Sequence, residues 1–576
     1  MCGIAGIFKK SGIVDQGELF RLNELIKHRG PDGEGYWIHE EGFLGFGHRR
    51  LSIIDLSDNG KQPMHYLDRY TIVFNGEIYN YIELKKQLLE FGYSFRSDSD
   101  TEVLLAAYDK YGAECLGQLN GMFAFALWDN LKKELFMARD RFGEKPLYYS
   151  FLNGDFYFTS EMKALFGAGV SRSFSSDRVY GYLQYNAFID KEDEGSTFFS
   201  DVRQVKPASW IRVRSSEIAE SGQYWNVSLT PGSAKMNTEE AVEEFRRLLS
   251  DSIKIRLRSD VRMGVSISGG IDSSSIAYLL DEAGGLSTVR DSFSARFKNF
   301  VKDEGLYIEK VLASFPDMNA HYTWPDADEL MEDLYDLAYA QEEPFYSGSI
   351  YNQYRVMKLA AQSGIIVLLE GQGADEQLGG YNHHFSHYLT WLFINDHKRY
   401  AEARMGYERI LGDIYPYHVP RTLPLQYVKK WLGLSPFTYD ESPRELLLRE
   451  STRTGLQSLL RYGDRNSMIW GRELRLPFLD HRITEFLFSL PDDMIFRNGW
   501  TKYILRRSVE NIVPDDITWR RDKIGFEPPQ DLWLQKLDSI ITPFKAKTDY
   551  RDFTGGRRVR EVVPWKWLML KLFFSA

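Results

Sequence analysis

Hydrophobic positions in the first two hundred residues fall in short runs between turn residues, and that texture predicts strands. The segments Phe43–Ile54, Thr71–Phe74, Met122–Trp128, Glu134–Ala138 and Asp155–Thr159 have this form. Between them, Asp15–Lys27 places Leu19, Leu22, Leu25 and Ile26 at helical spacing. Ser99-Asp-Thr-Glu102 has the form of a capping box ahead of a helix over Val103–Lys110. Strands in two groups with flanking helices predict a layered α+β domain over residues 1–225. Residues 226–238 are polar, carry Pro231 and Gly232, show no periodicity and read as a linker. Beyond them the pattern changes. Glu239–Arg256 is an amphipathic helix, Val261–Ser268 a strand, and Ser273–Asp281 a helix reached through a glycine turn. Ile365–Leu369 is a second buried run followed by glycines. Strand, glycine turn and helix in alternation predict a parallel α/β sheet in a second domain, 239–576, with helical additions from about residue 385.

Composition narrows the class. A chain of 576 residues buries roughly three-quarters of the surface it exposes when unfolded, which excludes disorder as the main state. Its 71 basic and 81 acidic residues, a net charge of −10, argue against nucleic acid or anionic membrane as a partner. Two cysteines build no disulfide framework and suit a reducing compartment. The apolar stretch Trp565–Phe574 is interrupted by Lys566 and Lys571 and is shorter than the roughly 20 residues of a membrane span, so it reads as a closing helix. The N-terminal apolar octet is too short for a signal peptide, and the expected location is the cytoplasm.

Candidate chemistry begins at Cys2. If Met1 is removed, the cysteine gains its own α-amino group as a general base, and its thiolate is a good nucleophile toward an amide carbonyl. Five further segments follow in order: His28-Arg-Gly-Pro-Asp-Gly33, Gly47-His-Arg-Arg-Leu-Ser-Ile-Ile54, Phe74-Asn-Gly-Glu-Ile-Tyr-Asn80, Ser99-Asp-Thr-Glu102 and Arg139-Asp-Arg-Phe-Gly-Glu-Lys-Pro-Leu-Tyr-Tyr149. With Met1-Cys-Gly-Ile-Ala-Gly-Ile they closely resemble the N-terminal-nucleophile glutaminase domain of class II glutamine amidotransferases, in the asparagine synthetase branch. The resemblance implies an αββα fold. It also implies a glutamine site of Arg50, Leu51, Ser52, Ile53, Asn75, Gly76, Glu77 and Asp100. The residue types suit an α-amino acid. Arg50 can pair with its carboxylate, Asp100 and Glu77 can receive its ammonium, and Asn75 with the Gly76 N–H can form an oxyanion hole.

Ser268-Gly-Gly-Ile-Asp-Ser-Ser274 follows an apolar strand and opens a helix, the context of a phosphate-binding turn. It lacks the Gly-Lys-Ser/Thr ending of a Walker motif and resembles the pyrophosphate loop of ATP pyrophosphatases. Asp272 would add charge to a plain phosphate nest but makes sense as a Mg²⁺ ligand. Ser292-Phe-Ser-Ala295, Leu369–Tyr381, Arg472–Asp480, Lys502–Arg506 and Arg521–Phe526 match later blocks of glutamine-hydrolysing asparagine synthetases. By that resemblance ATP meets Ile267, Ser268, Gly269, Gly270, Asp272, Ser273, Ser274, Ala295, Glu370 and Gly371, Mg²⁺ meets Asp272 and Asp375, and Lys502 is catalytic.

Two departures fall in the synthetase half. The family run Ser-Gly-Glu-Gly-Ala-Asp-Glu reads Glu370-Gly-Gln372-Gly-Ala-Asp375-Glu376 here, so Gln372 stands for a glutamate and Glu370 for a serine. Glu370 is the candidate to take over the displaced acid's role. His383, His384 and His387 lie close together, a metal cluster weighed against a polar helix face. Glu342-Glu343-Pro-Phe resembles a segment near the acceptor pocket, with a surface turn as the plain alternative. The expected function is a Cys2 glutaminase passing ammonia through an internal channel to a site that adenylates aspartate with Mg-ATP. An amidotransferase acting on another carboxylate is the alternative. The expected substrates are glutamine, ATP and the carboxylate, and a homodimer is the assembly the resemblance allows.

Overall fold

The computed structural model describes residues 1–190, 192–229, 236–415, 417, 441–522 and 527–575. The linker expectation over 230–235 and the end of the Arg521–Phe526 block, 523–526, lie outside the described residues.

The first two sheets are built from β1 (Cys2–Phe8), β2 (Gly33–Ile38), β3 (Leu44–Arg50), β4 (Met64–Tyr66), β5 (Tyr70–Ile78) and β6 (Gly121–Asp129). Then come β7 (Glu134–Arg139), β8 (Tyr148–Leu152), β9 (Asp155–Thr159), β10 (Arg203–Gln204), β11 (Ser209–Arg214) and β12 (Glu217–Gln223). One sheet runs β10-β8-β9-β1-β3-β2 and the other β12-β11-β7-β6-β5-β4, with antiparallel neighbours throughout. They pack face to face, because alternate residues point to opposite sides. Ile4 and Phe8 of β1 meet Val73 of β5 and Ala124, Ala126 and Trp128 of β6 between the sheets. The intervening Ala5 and Ile7 face outward onto Leu19 and Leu22 of the helix Gln16–Glu24. On the far side Phe123, Phe125 and Leu127 meet the helix Asp100–Tyr111. Helix, sheet, sheet and helix form the four layers of the αββα fold that the family resemblance implies. β1 and β6 are buried on both faces, which is why their sequences read as continuous apolar runs.

The capping-box expectation is corrected in detail. Ser99 does cap its helix, accepting from the Thr101 N–H, but Glu102 reaches back to Arg96 N–H and Ser97 rather than to the cap itself.

The third sheet comprises β13 (Met263–Ser266), β14 (Val289–Ala295), β15 (Asn319–Thr323), β16 (Val367–Leu369) and β17 (Glu473–Arg475), all parallel, in the order β15-β14-β13-β16-β17. Strand order reverses at β13, and ligands of open parallel sheets bind beyond the carboxyl ends of the strands at such a point. The helix Thr238–Ile255 packs Phe245, Leu249 and Ile253 into a core that also holds Met1, Leu51, Tyr79 and Met122 from the antiparallel layers. The two halves therefore share one hydrophobic cluster. The helix Pro564–Phe573 buries Trp565, Trp567 and Leu568 as the closing helix. Among the described residues no helix is long and apolar enough to cross a membrane.

Candidate active sites

Cys2 begins β1, and the pairing of that strand with β3 sets it opposite Arg50. Its backbone N–H donates to Asn75 Oδ1 at 3.0 Å, and its carbonyl accepts from Arg29 Nε at 3.1 Å. Burial pushes the Cys2 thiol up, while the amino terminus, the Leu51 N–H and Arg50 pull the other way. Asn75 Nδ2 is buried with no hydrogen-bond partner, so the amide holds the nucleophile's backbone with one end and offers a free donor with the other. A Cβ on Gly76 would lie 2.1 Å from Met122 O, so only glycine lets β5 approach β6 here.

Glu77, Asp100 and Glu473 form a buried acidic group beside Cys2. Asp100 accepts from the Ile78 N–H at 2.8 Å, and burial pushes its carboxyl up to about 6. Burial, Glu473 and Asp100 together hold Glu77 well above the usual carboxylate range, and its Oε2 has no hydrogen bond. Arg475 and the Met1 amino group answer Glu473, at 2.6 and 3.0 Å, and the buried pair Glu77 and Asp100 then suits a substrate ammonium. Arg50 donates to the carbonyls of Ser57, at 2.9 Å, and Asp55, and thereby organises its own loop. Ser52 N–H donates to Asp32 at 2.8 Å, while Leu51 and Ile53 point into the shared core.

The second site opens at the carboxyl ends of β13, β14 and β16 as a cavity of about 880 Å³. Gly269 turns with φ +75°, and a Cβ there would strike Tyr307 at 2.7 Å. Gly270 caps the helix Ile271–Glu282 without a side chain, leaving its first N–H groups directed at the cavity. Ser268 N–H donates to Ser273 Oγ at 3.1 Å and Ser274 Oγ donates to Gly270 O at 2.8 Å, which fixes the turn. Ile267, Ser268, Gly270, Asp272, Ser273, Ala295, Glu370, Gly371, Gln372, Asp375 and Lys502 line the cavity, whereas Gly269 and Ser274 stand behind its wall.

Lys502 Nζ lies 2.6 Å from carboxylate oxygens of both Asp272 and Asp375. Burial alone would lower the pKa of its ammonium; the two acids outweigh burial and hold it above its ordinary value. Two carboxylates converging on one cation are an oxygen set that suits a hard divalent ion. Asp272 and Asp375 are the residues that would hold Mg²⁺, whose part would be to neutralise phosphate charge.

In the departing segment, Glu370 Oε1 accepts from Ser266 Oγ at 3.0 Å and Oε2 from Gln353 Nε2 at 2.9 Å. Burial pushes its carboxyl up, and the two donors oppose that. Gln372 turns its buried, unpartnered Oε1 toward Gly463, whose Cβ would stand 3.4 Å from it. This segment thus presents one acid and one amide to the cavity.

Two features had no adequate signal in the sequence. Arg29 grips Asp464 bidentately at 2.8 and 2.9 Å and Glu161 at 2.7 Å, tying the Cys2 strand to the helix Gly455–Met468 of the other half. The Met1 amino group donates to Glu473 at the start of β17, again across the seam, at 3.0 Å. Arg506 and Arg520 add positive charge to the second cavity. The surface-turn alternative for Glu342 and Glu343 is corrected, since both are buried. They are buried against Arg465, at 2.8 Å, and Arg461, and neither lines the second cavity. Of the histidine cluster, His383 and His384 gather on Glu450, while His387 turns to Glu441 O.

The profile of the family described as glutamine amidotransferase domain matches residues 1–225, and that of asparagine synthase matches residues 244–552. Asparagine synthetase [glutamine-hydrolyzing] 1 of Bacillus subtilis is 34% identical over 583 residues, covering 93% of this chain and 88% of that protein. A putative asparagine synthetase [glutamine-hydrolyzing] 2 of Methanocaldococcus jannaschii is 36% identical, covering 67% of this chain and 77% of its own. A protein named amidase chry2 from Gibberella zeae is 29% identical, covering 95% and 90%.

Proposed function

The chain belongs to the glutamine-dependent asparagine synthase family, and from that premise we propose that it is an asparagine synthetase whose two sites act in series. Residues 1–225 hydrolyse glutamine, 226–238 link, and 239–576 activate and amidate aspartate. Met1 is removed so that the Cys2 amine serves as base. The thiol attacks the glutamine amide carbonyl, whose oxyanion is held by Asn75 Nδ2 and the Gly76 N–H. Arg50 binds the substrate carboxylate, and Asp100 with Glu77 binds its ammonium. Ammonia leaves and a thioester remains, which water hydrolyses to glutamate. In the second site the aspartate side-chain carboxylate attacks the α-phosphorus of ATP. The glycine turn holds the departing pyrophosphate, and Lys502 offsets the charge that builds on the phosphate. Ammonia then displaces AMP from the acyl-adenylate and leaves the amide. Most ammonia is protonated near neutral pH, which favours an enclosed path between the sites.

The observation that carries this reading is the Lys502 clasp, 2.6 Å from Asp272 and from Asp375 at the mouth of a capless, glycine-turned helix. It supports a Mg-ATP site over plain ammonia scavenging. The test is pyrophosphate release with Mg-ATP, glutamine and a panel of carboxylic acids. Aspartate-dependent release with asparagine as product is the expected result. Glu370 in place of the family's serine and Gln372 in place of its glutamate favour a second reading, an amidotransferase for a different carboxylate. Release with another acid and none with aspartate would select it.

A further inference from the structure

His383 lines the second cavity, next to Tyr381 and Asn382. It stacks on Tyr381 with ring centroids 5.6 Å apart and planes 12° apart, and Tyr381 follows Gly380, which abuts Asp375 and Lys502. Behind it stands Glu450 of the helix Pro443–Thr452. Glu450 Oε2 lies 3.2 Å from His383 Nε2 and 2.9 Å from His384 Nε2. The three ligating atoms are within 4.8 Å of one another, so a metal has to be considered.

The hydrogen bonds assign protons instead. The Tyr381 N–H donates to His384 Nδ1 at 3.3 Å, so Nδ1 carries the lone pair and Nε2 carries the hydrogen. A ligating histidine nearly always donates through its second nitrogen, and His384 cannot while it accepts from Tyr381. His384 therefore donates to Glu450 and fixes that carboxylate. His383 Nε2, against the same oxygen, donates as well, which leaves His383 Nδ1 with its lone pair and no hydrogen-bond partner among the described residues. The arrangement is a carboxylate orienting an imidazole on a cavity wall, the pattern of an oriented general base.

The amide-forming step needs such a group. Resting on the reading above, ammonia adds its lone pair to the acyl-adenylate carbonyl, whose π pair moves to oxygen. The nitrogen is then cationic and must lose one proton. The C–O bond to phosphate breaks, its pair leaving with AMP. Of the carboxylates on the described cavity wall, Asp272 and Asp375 pair with Lys502, Glu304 and Asp522 with Arg520, and Glu527 with Lys302, while Glu376 accepts from Tyr381 Oη at 2.6 Å and Glu370 holds Ser266 and Gln353. Gln372 cannot accept a proton. We propose that His383, oriented by Glu450, takes that proton on Nδ1 and so supplies the base that the amide at position 372 cannot.

The test separates the two half-reactions. ATP–pyrophosphate exchange reports acyl-adenylate formation, and amide formation with ammonium chloride reports the second step. Both are measured with whichever acid of a carboxylate panel gives the fastest wild-type exchange. His383→Gln should leave exchange within about twofold and slow amide formation about 10²–10⁴-fold. His383→Ala should behave alike and recover amide formation when imidazole is added. Glu450→Gln should show the same split, smaller in size. Equal loss of exchange and amide formation, or no loss of either, overturns the proposal. So does wild-type protein that holds one equivalent of Zn²⁺ through dialysis and loses it in His383→Gln. If no acid of the panel supports exchange in the wild type, the synthetase reading fails and takes this proposal with it.

Discussion

Asp100 lets the glutamine site be tested by pH alone. Burial lifts its carboxyl from an ordinary 3.8 to about 6. A shift of about two units corresponds to about 3 kcal/mol favouring the neutral form in the ligand-free fold. The sign follows from linkage. Below about pH 4 the group is protonated folded and unfolded, and its stabilising contribution is complete; that contribution is lost as pH rises through about 6. A substrate ammonium wants the opposite, an ionised Asp100. At pH 5 only about one site in eleven is ionised, so KM for glutamine should rise about tenfold between pH 7 and pH 5. Glu77 titrates as part of the same group, so the profile belongs to the pair. Asp100→Asn should flatten the slope to what Glu77 alone contributes and raise KM at pH 7.5 by about 10–100-fold, the worth of one hydrogen bond to a charged group. It should also melt higher than wild type at pH 7.5 without glutamine, and the gap should close below pH 4. Initial rates of glutamate release from pH 5 to 8 give the KM profile, while thiol ionisation enters through kcat. A wild-type KM flat over that range, or an unchanged slope in Asp100→Asn, would refute the reasoning.

Other consequences are simpler to check. Cys2→Ala should abolish glutamate release and leave ammonium-driven amide formation; glutamine-driven synthesis surviving in that variant would remove Cys2 from its role. Asp272→Asn should stop pyrophosphate release with either nitrogen donor and spare glutamine hydrolysis, since its carboxylate sits in the Lys502 clasp on the wall of the second cavity. Glu370→Gln should slow pyrophosphate release far more than Gln372→Ala, because Glu370 holds Ser266 and Gln353 while Gln372 Oε1 holds nothing; equal effects would contradict this. Asp464→Asn should lower the denaturation midpoint by an amount equivalent to about 3–5 kcal/mol, because it strands the buried guanidinium of Arg29; unchanged stability would show that Glu161 alone suffices.

Much of the plan was legible in the sequence, because strands and glycine turns are local signals. Asp155–Thr159 is β9 to the residue, and the helix foreseen from Glu239 starts at Thr238. Cys2 and Asn75 were legible through their segments, and the structure brings them within one hydrogen bond. Contacts across the seam were not. Arg29 and Asp464 are 435 positions apart, and Glu450 is 66 from His384; such pairs leave no periodic trace in one chain. The misplaced capping box has a similar cause. Ser-x-x-Glu fits the motif, but Arg96 and Ser97, folded back beside the helix, compete for the glutamate and win it.

The helix Gly455–Met468 has a wider consequence. One side of it supplies Asp464 to Arg29 and so steadies the strand of Cys2, while Asn466 holds Gln353, which holds Glu370 in the other pocket. A single short segment is thus common property of two chemistries. Cutting the gene at the linker would not yield two working enzymes: in the front piece Arg29 would keep Glu161 but lose its bidentate partner, and in the back piece Asp464 would be left to Arg465. Grafting the front of one relative onto the back of another would succeed only if Arg29 and Glu161 met a matching Asp464 and Arg465. The two halves must be inherited, and altered, together.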